Sequence, residues 1–247
     1  MTIEETATEA ELLAAVTELG SALRELVGAT VTTTVPAAEL HSAAVTVREV
    51  TARLSAARRS RDQLPALDDP AQARRVFNPV SGVGSPLAPP LVIRPEDGGV
   101  VSEVTLGLAY EGPPSYVHGG MSALLMDQLL GSAAISAGLW GMTARLELDY
   151  RRPVPLETAL VLRAAVGGNS GRRTTVSGSI ALAAAPDEPL VQAHGIFVTP
   201  RPEQVAAYFS AITDASGRST PPGRPGDATA VVDQPGWAHR PPGPGVP

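Results

Sequence analysis

The sequence predicts an α+β domain, an antiparallel sheet curled around one central helix, with a helical extension before it. Three observations predict it. The stretch from Gly119 to Ala137 is helical in pattern, and Met121, Leu124, Leu125, Met126, Leu129, Leu130, Ala133 and Ile135 cover every side of its wheel. A helix apolar all round is buried all round. The segments after it, Thr143–Tyr150, Ala159–Gly167, Arg173–Ala184 and Leu190–Thr199, alternate or are β-branched, and Gly, Pro or Asn turns separate them. Val191, Ala193, Gly195 and Phe197 keep the period of two expected of a strand with one buried face. Several sheet segments and one wholly apolar helix are satisfied together only if the sheet wraps the helix.

The elements follow in order. Glu9–Val27 has apolar residues at three- and four-residue steps (Leu12, Leu13, Val16, Leu19, Leu23, Leu26), and Thr8 with Glu11 fits a capping box. A Thr/Val run, 30–35, precedes Pro36, and a second helical pattern runs from Ala37 to Arg61. Residues 68–90, rich in Pro, Gly and Ser, read as an irregular covering loop. Leu91–Arg94 and Gly99–Tyr110 form a hairpin-like pair around the turn at 95–98, and Pro202–Ile212 is a short amphipathic helix. The expected organisation is a helical extension at 1–64, the main domain at 65–212 and a disordered Pro/Gly-rich tail at 213–247.

Composition narrows the chemistry. There is no cysteine, which removes thiol catalysis, disulfides and Cys-type metal sites. The net charge of −6 gives no reason to expect nucleic acid or an anionic membrane as partner. The four histidines, His41, His118, His194 and His239, show no metal-ligand spacing, so neither metal nor cofactor is expected. The opening residues have no basic region or apolar signal segment, and the expected location is the cytoplasm.

Chemistry concentrates on the central helix. Asp127 is a carboxylate among apolar neighbours, costly unless paired or put to use. Gly119 and Gly120 open the helix, where backbone N–H groups lack intrahelical acceptors and carry positive partial charge. Gly119 and Asp127 lie eight residues apart, about 12 Å along a helix axis, too far for both to touch one small reacting group. If both act on one bond, they come from two copies of the helix, which argues for a dimer with shared sites. No phosphate-loop or dinucleotide fingerprint is present, and Ser115 and Ser122 lack the context of a serine-hydrolase elbow.

The run Tyr110-Glu-Gly-Pro-Pro-Ser-Tyr-Val-His118-Gly-Gly-Met-Ser-Ala-Leu-Leu-Met-Asp127, followed by Glu147-Leu-Asp-Tyr-Arg-Arg-Pro-Val-Pro-Leu156, resembles the hotdog-fold acyl-CoA thioesterases of the phenylacetate-pathway (PaaI-like) type, in the 4-hydroxybenzoyl-CoA thioesterase superfamily. The resemblance covers about residues 75–200. It implies a hotdog fold, a homodimer or dimer of dimers, and metal-independent hydrolysis of acyl-CoA. By position, Gly119 would offer its N–H to the thioester oxygen. Asp127 of the opposite subunit would be nucleophile or general base, and Thr143 falls where some members hold the attacking water. His118 is expected to fix the loop more than to act as an acid, with Gly120 beside it at the helix start. Arg151, Arg152, Arg172 and Arg173 are candidates for the phosphates of coenzyme A, since Arg suits them as a bidentate partner. Several members carry Asn or Gln about six residues before the His; here Gly112-Pro113-Pro114 stands there. A non-catalytic acyl-CoA binding or sensing protein with the same pocket is the alternative.

Overall fold

The computed structural model describes residues 8–69 and 74–219. Helices α1 (Glu9–Thr32) and α2 (Ala37–Leu54) come first. Strands β1 (Arg94–Glu96) and β2 (Gly99–Thr105), a 3-10 turn at Leu108–Tyr110 and the central helix α3 (Gly119–Ser136) follow. Strands β3 (Met142–Tyr150), β4 (Ala159–Ser170), β5 (Arg173–Leu182) and β6 (Ala185–Val198) then lead to α4 (Pro202–Phe209). The six strands form one antiparallel sheet in the order β1-β2-β4-β5-β6-β3. This is the hotdog arrangement that the sequence predicts.

The core lies between α3 and the inner face of that sheet. Leu125, Met126, Leu129, Leu130, Ala133 and Ala134 are buried against inner-face residues such as Leu162, Ile180, Val191 and Phe197. The helix sits so close that side chains on the sheet would collide with it. A Cβ at Gly178 would stand 2.6 Å from Met126 Cε, and one at Gly195 would stand 3.1 Å from Leu130 Cδ1. Burial is not complete all round, however. Met121, Leu124, Asp127, Gln128, Gly131 and Ser132 are only half-buried, because the single sheet covers only one side of the helix. Strand β3, at the sheet's edge, is largely exposed along its length.

The capping box forms as the sequence predicts: Glu11 N–H donates to Thr8 Oγ1, and Thr8 N–H donates to Glu11 at 2.8 Å. Helix α1 continues through the Thr/Val run to Thr32, with threonine hydroxyls at 30 and 32 donating to carbonyls one turn back. Helix α2 ends at Leu54, short of the predicted Arg61. The stripe of α1 that meets the domain is Val16, Gly20 and Arg24; Leu12, Leu19 and Leu26 of the predicted apolar face remain exposed. Arg24 donates to the carbonyls of Val83 and Ser85, each at 2.9 Å. Gly20 permits the approach: a Cβ there would lie 2.4 Å from Val83 O, whereas a Cβ at Gly28 meets nothing within 4 Å. Two alanine substitutions therefore part company. Gly28→Ala gains helix propensity of up to about 1 kcal/mol. Gly20→Ala forces the helix off a backbone carbonyl that cannot swing aside, for a net loss of about 1–2 kcal/mol. Thermal unfolding of the two variants beside the parent checks the opposite signs.

Further boundaries differ from expectation, among them the end of β2 at Thr105 rather than Tyr110 and the start of β6 at Ala185 rather than Leu190. Residues 91–93 are not strand, and β1 begins at Arg94. The predicted turn at 167–171 is mostly strand: β4 runs to Ser170 with a register shift between Val166 and Gly168, and the chain reverses at Gly171 (φ 59°) and Arg172. Residues 213–219 are structured: Leu64 N–H donates to Thr213 O, and Thr213 N–H donates to Asp62 O. Beyond them the Asp214 carboxylate accepts from Ser216 Oγ and from the N–H groups of Arg218 and Ser216. Those hydrogen bonds, the Ser216 hydroxyl first, pull its pKa from 3.8 to about 2. Residues 220–247 of the predicted tail, with His239, lie outside the described residues. Among the described residues no helix is long and apolar enough to cross a membrane.

Candidate active site

The start of α3 is built by two sequence segments that the fold ties together. Val117 N–H donates to Val154 O at 2.8 Å, and Leu156 N–H donates to Ser115 O at 3.0 Å. Thus the 110–118 loop lies along the Arg152–Leu156 segment. A tight turn at Pro113–Tyr116 closes the loop, with Ser115 in the left-handed region at φ 71° and its N–H on Glu111 Oε1 at 2.8 Å. Gly112 backs onto His118, where a Cβ would stand 2.7 Å from His118 Cα. The Asn or Gln side chain that some family members carry near this place has no room for its first carbon here.

His118 is the N-cap of α3, and its Nδ1 accepts from Gly120 N–H at 3.0 Å. That ring orders the first turn and satisfies one of the orphan donors that every helix start exposes. The neighbouring Gly119 N–H has no acceptor among the described residues. Tyr150 Oη donates to Gly119 O at 2.8 Å and anchors this peptide to the far end of β3. The Tyr150 contact was not foreseen, although Tyr150 lies inside the motif that carries the resemblance.

Two turns along, Asp127 Oδ1 accepts from Thr143 Oγ1 at 2.9 Å. Thr143 is exposed at the opening of β3, and Asp127 is half-buried on the open side of α3. Next to it, Gln128 Oε1 accepts from Asn78 Nδ2 at 2.8 Å, while Asn78 Oδ1 accepts from the N–H groups of Val80 and Ser81. Asn78 thereby pins the Pro/Gly-rich 77–91 loop to the helix beside the acid. Its signal in the sequence is only that an Asn-Pro pair favours a turn.

Within the chain Gly119 and Asp127 stay apart. Gly119 is held by Tyr150 and Asp127 by Thr143, at opposite ends of β3. Seven strand steps span about 23 Å and eight helix steps about 12 Å, so no single small group bridges them.

The arginine candidates divide likewise. Arg151 and Arg152 follow Tyr150, at the Gly119 end. Arg152 is already engaged with Glu188 at 3.2 Å, and Arg151 is exposed. Arg172 and Arg173 lie at the β4–β5 turn, where Arg173 pairs in register with Val198, which in turn pairs with Met142. Arg172 donates to Thr199 O at 3.0 Å, and Arg173 is exposed. The two pairs flank opposite ends of the sheet, so the fold of the chain does not gather all four around one ligand.

Comparison with known proteins agrees with this architecture. The thioesterase superfamily model matches residues 115–180, which includes α3 and the strands beside it. A crystal structure of a thioesterase superfamily protein is 36% identical, with a TM-score of 0.66, over 74% of this chain and 94% of that one. The chain therefore belongs to the thioesterase superfamily. Acyl-coenzyme A thioesterase THEM4 of Mus musculus is 39% identical over 74 residues, 30% of this chain and 32% of that protein. The Xenopus laevis protein of the same name is 36% identical over 67 residues, 27% of this chain and 30% of its own length. The chain thus matches these curated relatives over about a third of their length.

Proposed function

We propose that this protein hydrolyses acyl-CoA thioesters at a site shared between two subunits, with residues 65–212 as the catalytic domain and 1–64 as an appended helical extension. The carrying observation is the pairing of an unoccupied Gly119 N–H at the start of α3 with an Asp127 carboxylate oriented by Thr143 on the same helix. The membership of the superfamily and the likeness to the THEM4 proteins support the substrate class.

Two copies complete what one lacks. Strand β3 is an exposed edge with unpaired backbone groups, the kind of edge that proteins cover. Antiparallel pairing of β3 with its copy about the strand's middle sets the Thr143 end of one strand against the Tyr150 end of the other. A two-fold axis does this twice, at one self-complementary interface. Asp127 of one subunit then approaches Gly119 of its partner, and the half-buried side of α3 is covered. A further pairing of such dimers is compatible with this arrangement.

In the proposed reaction the thioester oxygen accepts the Gly119 N–H, which stabilises the negative charge that grows there as the carbonyl is attacked. Asp127 either takes a proton from the attacking water or attacks the carbonyl carbon itself. When water attacks, the C–S bond breaks, the thiolate of coenzyme A leaves and is protonated, and the acid departs with the oxygen from water. When Asp127 attacks, the same bond breaks to leave an Asp127–acyl anhydride, which water hydrolyses to the free acid and the restored carboxylate. Thr143 keeps the carboxylate aimed, and His118 keeps the donor turn in shape. Arg151 and Arg152 at one end, or Arg172 and Arg173 at the other, are available to the phosphates.

Thiol release from a panel of acyl-CoAs tests this reading. Thr143→Val, which removes the hydroxyl and keeps the shape, is expected to lower kcat about tenfold, the cost of one hydrogen bond to a charged group. Thr143→Ser keeps the donor and most of the rate. Saturable acyl-CoA binding without turnover on any member of the panel contradicts the enzyme and favours the sensing alternative.

A further inference from the structure

A second concavity lies beyond the Thr143 end of β3, and neither Asp127 nor Thr143 lines it. It holds about 800 Å³ between the loop that ends α3, the β4–β5 turn and α4. That is the size of a small-molecule site, roughly 300–1,000 Å³. Leu139, Trp140, Val205, Ala206 and Phe209 give it apolar walls. Its polar groups are few and of one kind of charge. Arg172 and Arg201 line it, and among the described residues no Asp or Glu does, in a chain whose net charge is −6.

Neither arginine has an ion-pair partner among the described residues, and the hydrogen bond to Thr199 O leaves most of the Arg172 donors free. Thr174, 3% exposed, lines the cavity beside them. Guanidinium forks match carboxylates and phosphates alike, but apolar walls favour a ligand whose remainder is hydrocarbon.

We propose that this cavity under α4 binds an amphipathic monocarboxylate, an alkyl or arylalkyl acid. Its carboxylate meets Arg201 and Arg172, and its apolar body lies against Trp140 and Phe209. The proposal takes Arg172 for the acid and leaves Arg151 and Arg152 to the phosphates of coenzyme A, and it does not depend on the reaction assigned to Asp127.

Calorimetric titration of the full chain with decanoate tests it, with decanol as the uncharged match and 3′,5′-ADP as the nucleotide probe. Saturable binding of decanoate is expected, weakened about tenfold in Arg201→Gln through loss of a charge-assisted contact. Ala206→Trp, which fills the cavity, is expected to abolish it. Asp127→Ala is expected to leave the affinity unchanged, which separates this site from the catalytic one. Three results overturn the proposal: no saturable binding, binding indifferent to both cavity variants, or 3′,5′-ADP binding in place of the acid with the same dependence on Arg201.

Discussion

Asp127→Asn is expected to lower thiol release from the best acyl-CoA by about 10²–10⁴-fold, with KM little changed, because the group acts on the reacting atoms rather than on substrate affinity. The substitution is mild in every other respect. Asn is the same size, its amide oxygen still accepts from Thr143 Oγ1, and the half-buried setting of Asp127 does not demand a charge. Folding and subunit association should therefore survive, and circular dichroism with size-exclusion chromatography checks that they do. A single turnover in water labelled with heavy oxygen separates the two roles open to the carboxylate. Label in the Asp127 side chain marks it as the nucleophile; label in the product acid alone shows that water attacks the acyl carbon.

The second large effect comes from one backbone hydrogen. Proline at position 119 deletes the N–H proposed to hold the thioester oxygen. It does so at the first helical position, where proline is well tolerated. His118 before it, at φ −60° and ψ 132°, already has the extended conformation that a residue preceding proline requires. A Cβ at position 119 would meet the Tyr150 ring at 3.5 Å, an ordinary contact. Gly119→Pro is thus expected to fold and to lose about 10²–10³-fold in kcat. Gly119→Ala, which adds the carbon and keeps the N–H, is the control and should retain most of the rate.

How much of this was legible in the residues depends on the kind of signal. Helix α3 was plain because its apolar residues leave no polar face, and β6 was plain because 191–197 alternate. The beginning of β6 at Ala185 was hidden by Pro186 and Pro189, which sit where the β5–β6 register shifts and so cost no regular ladder bond. The 167–171 segment looked like a turn because of its glycines, yet the strand passes through them with one irregularity. The docked stripe of α1 escaped because close approach of backbone to backbone selects Gly20, and hydrophobic periodicity weights the leucines instead.

The candidate site was legible where it is local in sequence: His118, Gly119 and Gly120 at one helix start, and Asp127 eight residues on. Thr143 entered through the family resemblance as a holder of water, and its hydrogen bond to Asp127 came only with the structure. Tyr150 and Asn78 carry no such signal, since their roles arise only when β3 and the 77–91 loop close on α3. The cavity under α4 was invisible for the same reason. Its walls come from residues near 140, 172 and 205, and of these only the arginines at 172–173 were read as meeting a ligand, there the phosphates of coenzyme A.

The central claim is that one active site takes its donor from one subunit and its acid from the other. Mixing two inactive variants in one dimer tests it most directly: Gly119→Pro, and Asp127→Ala, co-expressed with different tags in equal amounts. In a shared-site dimer the mixed species has one doubly damaged site and one wholly intact site. With random association half of the dimers are mixed, so the account predicts recovery of about a quarter of the parent's thiol release. If donor and acid belong to the same chain, no intact site can form, and activity no higher than that of the separate variants would contradict the account.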